Sequence, residues 1–446
     1  MATSSGDQTR GSLCMATPVG RGAAVEGGHG EVQRLKVIAI SPMTRLAVLF
    51  PALLCVVLLC FSAPGFAQQA PAHFVGSESC KSCHADIYNH WKQTRMANVV
   101  RDPKVHPEAV IPDFSKPDPV RTFDLGDVAF VYGSRYKQRY FTKRGEDYYP
   151  LPAQWDVKKK KWLPYHVEAG ADWWEPFYGP SNFDRPTGPT CDGCHSVNYN
   201  VQTKQVTEWN VGCEKCHGPG SLHVKHPTRR NIVDPAALDF VRANDICIQC
   251  HSQGRPLRNP IADRYFDWPV GFIPGEKLAD FWNLEELKPG VTNFFQFPDE
   301  TAHKNRMQGK DFVLSNMYHR GVRCSDCHEV HGNQNVSLVR LPGNALCLSC
   351  HTKENPAGLR GSVSEHTHHA EGSAGSQCVA CHMPEIEQTI KDNYVSAHTF
   401  RFITPGETER SGIPNPCISC HADKSTEWAK NQLRGWTSTS PWRVAQ

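Results

Sequence analysis

Apolar residues are unevenly spread along the 446-residue chain, and three patterns stand out. Residues 46–61, LAVLFPALLCVVLLCF, form an uninterrupted apolar run with Arg45 before it and Gly65-Phe66-Ala67 after it. That order of basic start, short apolar stretch and small residues is the layout of a secretory signal peptide. A single uncleaved membrane anchor is the alternative, although the run is short for a span. Residues 123–166 contain VAFVYG, KQRYFTK, DYYPLPAQW and KKWLPYH, rich in aromatic and β-branched residues and broken by Gly and Pro. This pattern predicts a small antiparallel sheet. Elsewhere the periodicity is short. Residues 299–320 are the best long-helix candidate, with Met307, Phe312, Leu314 and Met317 on an imperfect stripe, and 425–433 predicts a second helix.

Residues 1–42 are Gly-rich, polar and without periodicity, and Met43 stands at the start of the signal-like segment, just before Arg45 and the apolar run. We therefore expect translation to start at Met43, with 1–42 a non-native or disordered extension, 43–67 the signal peptide and the mature chain beginning near Gln68. Cys14, Cys55 and Cys60 all fall before that point. A lipid anchor at Cys60 is disfavoured by the large Leu59 before it.

The other 16 of the 19 cysteines form eight CxxC pairs. Cys191, Cys194, Cys213 and Cys216, with eighteen residues between the pairs, fit the spacing of a four-thiolate zinc site when viewed alone. Yet every CxxC in the chain is followed by His, in a sequence with only 22 histidines. The attachments are Cys80, Cys83 and His84; Cys191, Cys194 and His195; Cys213, Cys216 and His217; Cys247, Cys250 and His251; Cys324, Cys327 and His328; Cys347, Cys350 and His351; Cys378, Cys381 and His382; and Cys417, Cys420 and His421. A zinc site does not need that histidine. Haem c does, because the two sulfurs take the haem edge and the adjacent imidazole becomes the proximal iron ligand. The expected cofactor is eight covalently attached haems.

Haem changes how the composition reads. A formal charge of +3 points to no particular partner, but the propionates of the haems would make the loaded protein acidic. Residues 158–161, KKKK, are the only sizeable basic run and read as a solvated turn, so no nucleic-acid partner is expected. With 39% hydrophobic residues, 34 Gly and 33 Pro, the chain is short of core for its length, and haem faces would supply apolar surface. The expected fold is mainly α with much irregular structure, packed around haems, with the small antiparallel β insertion. Motif spacings suggest a first haem segment at 68–120, the β insertion at 121–166 and a three-haem unit at 167–260. A linker and helix at 261–320, a four-haem unit at 321–436 and a tail at 437–446 would follow. The near-repeat of spacings in two triplets, starting at Cys191 and Cys324, reads equally as duplication or as dense haem packing.

A sixth iron ligand separates a wire from an enzyme. Outside the motifs the mature chain has thirteen histidines, enough to close every iron without requiring it. The candidates are His90, His166, His223, His319, His331, His366, His369 and His398. His223 follows the turn-forming Gly218-Pro219-Gly220. The competing role for several is a hydrogen bond to a propionate, and His73, His106 and His226 read as surface residues. There is no convincing phosphate loop and no nucleophile elbow.

The segments FVGSESCKSCHADIYNHWKQTRM, VGCEKCHGPGSLH, MYHRGVRCSDCHEVHG and HTHHAEGSAGSQCVACHMPEIEQT, followed by AHTF and PNPCISCHAD, resemble a known group. Over most of 74–436 the chain is similar to multihaem c-type cytochromes related to the tetrahaem cytochrome of ammonia oxidisers. More distantly it is similar to pentahaem nitrite reductase and octahaem hydroxylamine oxidoreductase. The resemblance implies distal roles for His223, His331, His369 and His398. Where similar chains often carry a histidine after the first motif, this one has Met96, which either ligates or packs while His90 ligates. The nitrite reductase CxxCK motif is absent, and nothing marks Tyr318 or Tyr394 as a cross-linking tyrosine. No catalytic residue is assigned. The expectation is a periplasmic octahaem electron relay working with redox partner proteins, a quinol-oxidising complex or other cytochromes. Membrane association would come only through an uncleaved N-terminus, and an oligomer is compatible with the chain. The alternative is reduction or oxidation of a small nitrogen or sulfur oxyanion at one five-coordinate haem.

Overall fold

A computed structural model describes residues 71–165, 183–284, 288–290, 296–304, 306–355, 358–359, 361–387 and 393–436. The expected signal peptide and His166 lie outside these residues. The β insertion forms an antiparallel meander: β1 Val100–Arg101, β2 Phe130–Tyr132, β3 Lys137–Arg144, β4 Asp147–Asp156 and β5 Lys161–Pro164, in that order across the sheet. Gly145, with φ +61°, makes the tight β3–β4 turn where Arg144 pairs with Asp147. The lysines at 158–160 form the exposed β4–β5 turn.

Both faces of this sheet are used. One covers a core of Phe123, Val128, Val131, Tyr140, Ala153 and Trp162, with Phe114 packed edge-on against Tyr140 and Trp162. Tyr140 and its neighbour Phe141 are both buried, in different clusters, because successive strand residues point to opposite faces and both faces are covered. Phe141 joins Val100 and Tyr132 on the second face, against which Cys191 and Trp209 pack. The insertion thus forms a wall over the second CxxCH motif.

The rest of the described chain consists of short helices, three two-stranded sheets and irregular segments. The longest helices, Phe240–Ile248 and Thr426–Arg434, have nine residues, so helix does not dominate as the sequence led us to expect. The segment at 299–320 is not one helix. It divides into Gln308–Val313 and Asn316–His319, because the Ser315 hydroxyl accepts the Tyr318 N–H and caps a new start. Before it, Ala302 bridges to Gln296 and gives its N–H to the buried Asp311 carboxylate, holding that stretch extended. The C-terminal helix starts one residue later than expected, with Ser425 capping Trp428 and with Ala429 and Leu433 buried.

Glu214 ties the first haem segment to the third motif. Its buried carboxylate accepts N–H groups from Val75 at 3.0 Å, Gly76 at 2.7 Å and Gly220 at 2.7 Å. Three backbone donors are therefore satisfied by one side chain. Replacing Glu214 with Ala should cost on the order of 3 kcal/mol or more, since each orphaned donor costs about 1–3 kcal/mol. Thermal unfolding followed by circular dichroism checks this, and Glu214→Gln, which keeps an acceptor, should lose less.

The sheet also carries a buried ion pair, Lys137 Nζ to Asp156 at 2.6 Å. Burial raises the Asp156 pKa, but Lys137 and the Lys159 N–H outweigh it and hold the carboxyl below its ordinary 3.8. The stabilisation should be fully present above pH 3.8 and lost as pH falls through the lower folded value. Acid titration of the near-ultraviolet circular dichroism should show this loss in the natural protein, and Asp156→Asn should flatten it.

Candidate haem sites

Each motif folds as one helical turn. The histidine N–H donates to the carbonyl of the first cysteine at 3.0 Å in His84, 3.1 Å in His195, 3.0 Å in His217 and 2.9 Å in His251. The same bond is 3.0 Å in His328, 2.8 Å in His351 and 2.8 Å in His421, and the seventh motif is the helix Cys378–His382. Positions i, i+3 and i+4 of a helical turn lie on one face. Two sulfurs and one imidazole therefore leave each turn on the same side, as attachment of haem requires.

The four cysteines that imitate a zinc site go to different neighbours. The Cys213 thiol meets Cys80, and Cys194 meets Cys250. Among the described residues no three His, Cys, Asp or Glu side chains gather as an ion site.

Four motif histidines face a second histidine from elsewhere in the chain. His84 faces His223 with ring centroids 6.3 Å apart and planes 18° apart, and His217 faces His331 at 6.1 Å and 11°. His382 faces His366 at 6.3 Å and 12°, and His421 faces His369 at 6.2 Å and 33°. Direct stacking looks different in the same molecule. His368 lies on Trp436 at 4.3 Å and 12°. Two metal–imidazole bonds of about 2 Å, plus the reach from nitrogen to ring centre on each side, give about 6 Å. The four pairs thus fit two imidazoles on opposite sides of one iron.

Hydrogen bonds orient the rings for that role. Nδ1 donates to a backbone carbonyl in His217 (Val233, 2.9 Å), His328 (Ser337, 2.9 Å), His223 (Thr228, 3.0 Å), His369 (Thr367, 2.6 Å) and His398 (Ser396, 2.8 Å). Each bond fixes the tautomer that leaves Nε2 as the electron-pair donor. Burial lowers the His217 pKa and His331 opposite pushes the same way, which keeps the ring neutral.

The remaining candidates fall elsewhere. His398 is half-buried, and desolvation with His328 and His251 nearby lowers its pKa to about 4. His90 is exposed on the helix Ala85–Lys92, and His319 is exposed at the end of Asn316–His319. Met96 is half-buried, and its carbonyl accepts the Val211 N–H. His73, His106 and His226 are exposed. His195 is half-buried, with its pKa lowered to about 4 by desolvation and then by Arg306, Lys215 and Arg139. Its Nδ1 has no hydrogen-bond partner among the described residues. Sequence reasoning missed the contacts between motifs: besides the two above, Cys247 meets Cys324 and Cys347 meets Cys378. Motif spacing carries no signal for them.

Comparison with known proteins agrees with this geometry. Residues 318–356 match the family described as doubled CXXCH motif, and 79–121 with 180–218 match cytochrome c554 and c-prime. The multiheme cytochrome MtrA of Shewanella baltica is 22% identical over 285 residues, covering 61% of this chain and 62% of that protein. The dissimilatory sulfite reductase MccA of Wolinella succinogenes is 21% identical over 401 residues, covering 71% of this chain and 51% of that one. The chain thus spans between half and two thirds of the length of these relatives. The crystal structure of the outer cell wall cytochrome OcwA superimposes with a TM-score of 0.65 at 22% identity, covering 82% of this chain and 87% of that chain, so the two share a fold. Together the family matches, the relatives and the shared fold establish the chain as a multihaem c-type cytochrome.

Proposed function

We propose that this protein is an exported octahaem relay that passes single electrons along covalently bound haems to and from redox partner proteins. The observation that carries the reading is the set of four facing histidine pairs, which would hold a haem iron between two imidazoles and leave a substrate no place there. His84 and His223, His217 and His331, His382 and His366, and His421 and His369 would each hold one haem iron. When bound, each haem supplies a one-electron couple whose potential follows its axial ligands, burial and nearby charge. The chain's own part is to bring the two rings of each pair face to face, with His217, His223 and His369 aimed by a backbone carbonyl. His398 is the further distal candidate, given its burial beside His328 and His251. The apolar run at 46–61, with its basic start and small residues after it, supports export.

A second reading, reduction of a small sulfur or nitrogen oxyanion at one haem, has one observation in its favour. His195 sits among the cations Arg306, Lys215 and Arg139, a setting suited to an anion, and MccA is named as a sulfite reductase. Intact mass of the mature protein should equal the chain from near Gln68 plus eight haems. Electron paramagnetic resonance of the oxidised protein should show low-spin iron that does not change on adding nitrite, sulfite or hydroxylamine. A high-spin signal that responds to one of them would replace the relay with the reductase. His369→Ala should turn one haem equivalent high-spin while the haem mass stays the same.

A further inference from the structure

Three polar side chains occupy the same place relative to three motifs and reach into three others. Asn244 stands three residues before Cys247. Its buried amide accepts the Cys324 N–H at 2.8 Å and donates to the Val322 carbonyl at 3.1 Å. Asn344 stands three residues before Cys347. Its amide accepts the Cys378 N–H at 2.8 Å and donates to the Ser376 carbonyl at 2.8 Å. Both asparagines therefore read the same two groups of the partner motif: the first cysteine N–H and the carbonyl two residues earlier. Ser77, three residues before Cys80, accepts the Cys213 N–H at 2.8 Å and donates to Glu208 at 2.6 Å.

The N–H groups opening a helical turn have no partner inside it and are normally satisfied by the segment just before. Asn415 does this for the last motif, accepting the Ile418 N–H of its own helix. The other three side chains cap a foreign motif. In each case the two first cysteines also lie close enough to interact: Cys80 with Cys213, Cys247 with Cys324 and Cys347 with Cys378.

We propose that Ser77, Asn244 and Asn344 are positioning residues that latch the haem motifs into three adjacent pairs and thereby set the order of the relay. The order follows from the neighbours of each pair. Cys216 lies near Cys247, and Cys327 near Cys350, which join the first pair to the second and the second to the third. The helix Cys378–His382 touches Pro416–Cys420, placing the last motif after the third pair. The Cys191 motif is a branch, reached through the contact of Cys194 with Cys250. The path then runs through the motifs beginning at Cys80, Cys213, Cys247, Cys324, Cys347, Cys378 and Cys417. This rests on reading each motif as a haem site, as the proposed function does.

The test uses the matured, haem-loaded protein and the variants Asn244→Ala, Asn344→Ala, Asn344→Asp and Asn415→Ala, each checked for full haem mass. Haem–haem interaction is read from coupled ferric signals in electron paramagnetic resonance and from the split Soret circular dichroism. Both latch alanine variants should lose the interaction signature of one haem pair while the iron stays low-spin. Asn344→Asp, which keeps the acceptor for Cys378, should restore part of it. Asn415→Ala, which removes a cap within one motif, should lower the melting temperature and leave the signature intact. If Asn244→Ala fails to mature because its site is fully buried, the half-buried Asn344 decides the matter. An unchanged signature in fully loaded Asn344→Ala would overturn the latch. A high-spin iron that answers to sulfite would remove the relay reading and leave the latch result readable, since coupling between two haems does not require either iron to be closed.

Discussion

Two imidazole rings held about 6 Å apart, with His217, His223 and His369 tied by Nδ1 to a backbone carbonyl, are the constraint around which the rest of this chain is arranged. The near ring comes with its motif at no structural cost, since one helical turn sets it beside its two cysteines. The far ring comes from a distant segment. His223 must be turned back by Gly218, Pro219 and Gly220 to meet His84, and the Gly220 N–H is fixed by Glu214, which also grips Val75 and Gly76 beside the first motif. One carboxylate thus secures both ends of the His84–His223 pair.

That constraint explains why the fold is poor in long helices and large sheets. Each motif needs one turn of helix and then a change of direction, so regular elements stay short and side chains take over the satisfaction of backbone groups. Asn244, Asn344 and Ser77 do this between motifs, Ser315 and Ser425 do it locally, and Asp311 joins Ala302 to His398 through their N–H groups. The one sizeable sheet has its own core of Tyr140, Trp162 and Phe123 and stands against Cys191 with its other face. It stands as a wall beside His195, whose ring meets Tyr132 edge-on and whose pKa is lowered by burial and then by Arg306, Lys215 and Arg139.

Local chemistry was legible in the sequence, whereas long-range pairing was not. The sheet could be read because aromatic and β-branched runs broken by Gly and Pro act within a few residues, and the C-terminal helix at 425–433 because its cap at Ser425 is local. The stretch at 299–320 misled because its stripe is imperfect: Met307 and Phe312 are buried, while Leu314 is exposed, and a serine in the middle starts a second helix. Histidine supply could be counted, but which ring meets which motif depends on folding between segments far apart in the chain. His223, His331 and His369 stood out through resemblance, and His366 through its place before Cys378. The asparagine latches carried no signal, because a polar residue three positions before a cysteine looks like an ordinary cap.

An experimental structure of the mature, haem-loaded protein, measuring the distance from each iron to the two histidine Nε2 atoms, tests this account most directly. The account predicts an iron bonded on both sides in the four pairs His84 and His223, His217 and His331, His382 and His366, and His421 and His369. Irons held there by the motif histidine alone, with the facing ring turned away, would contradict it.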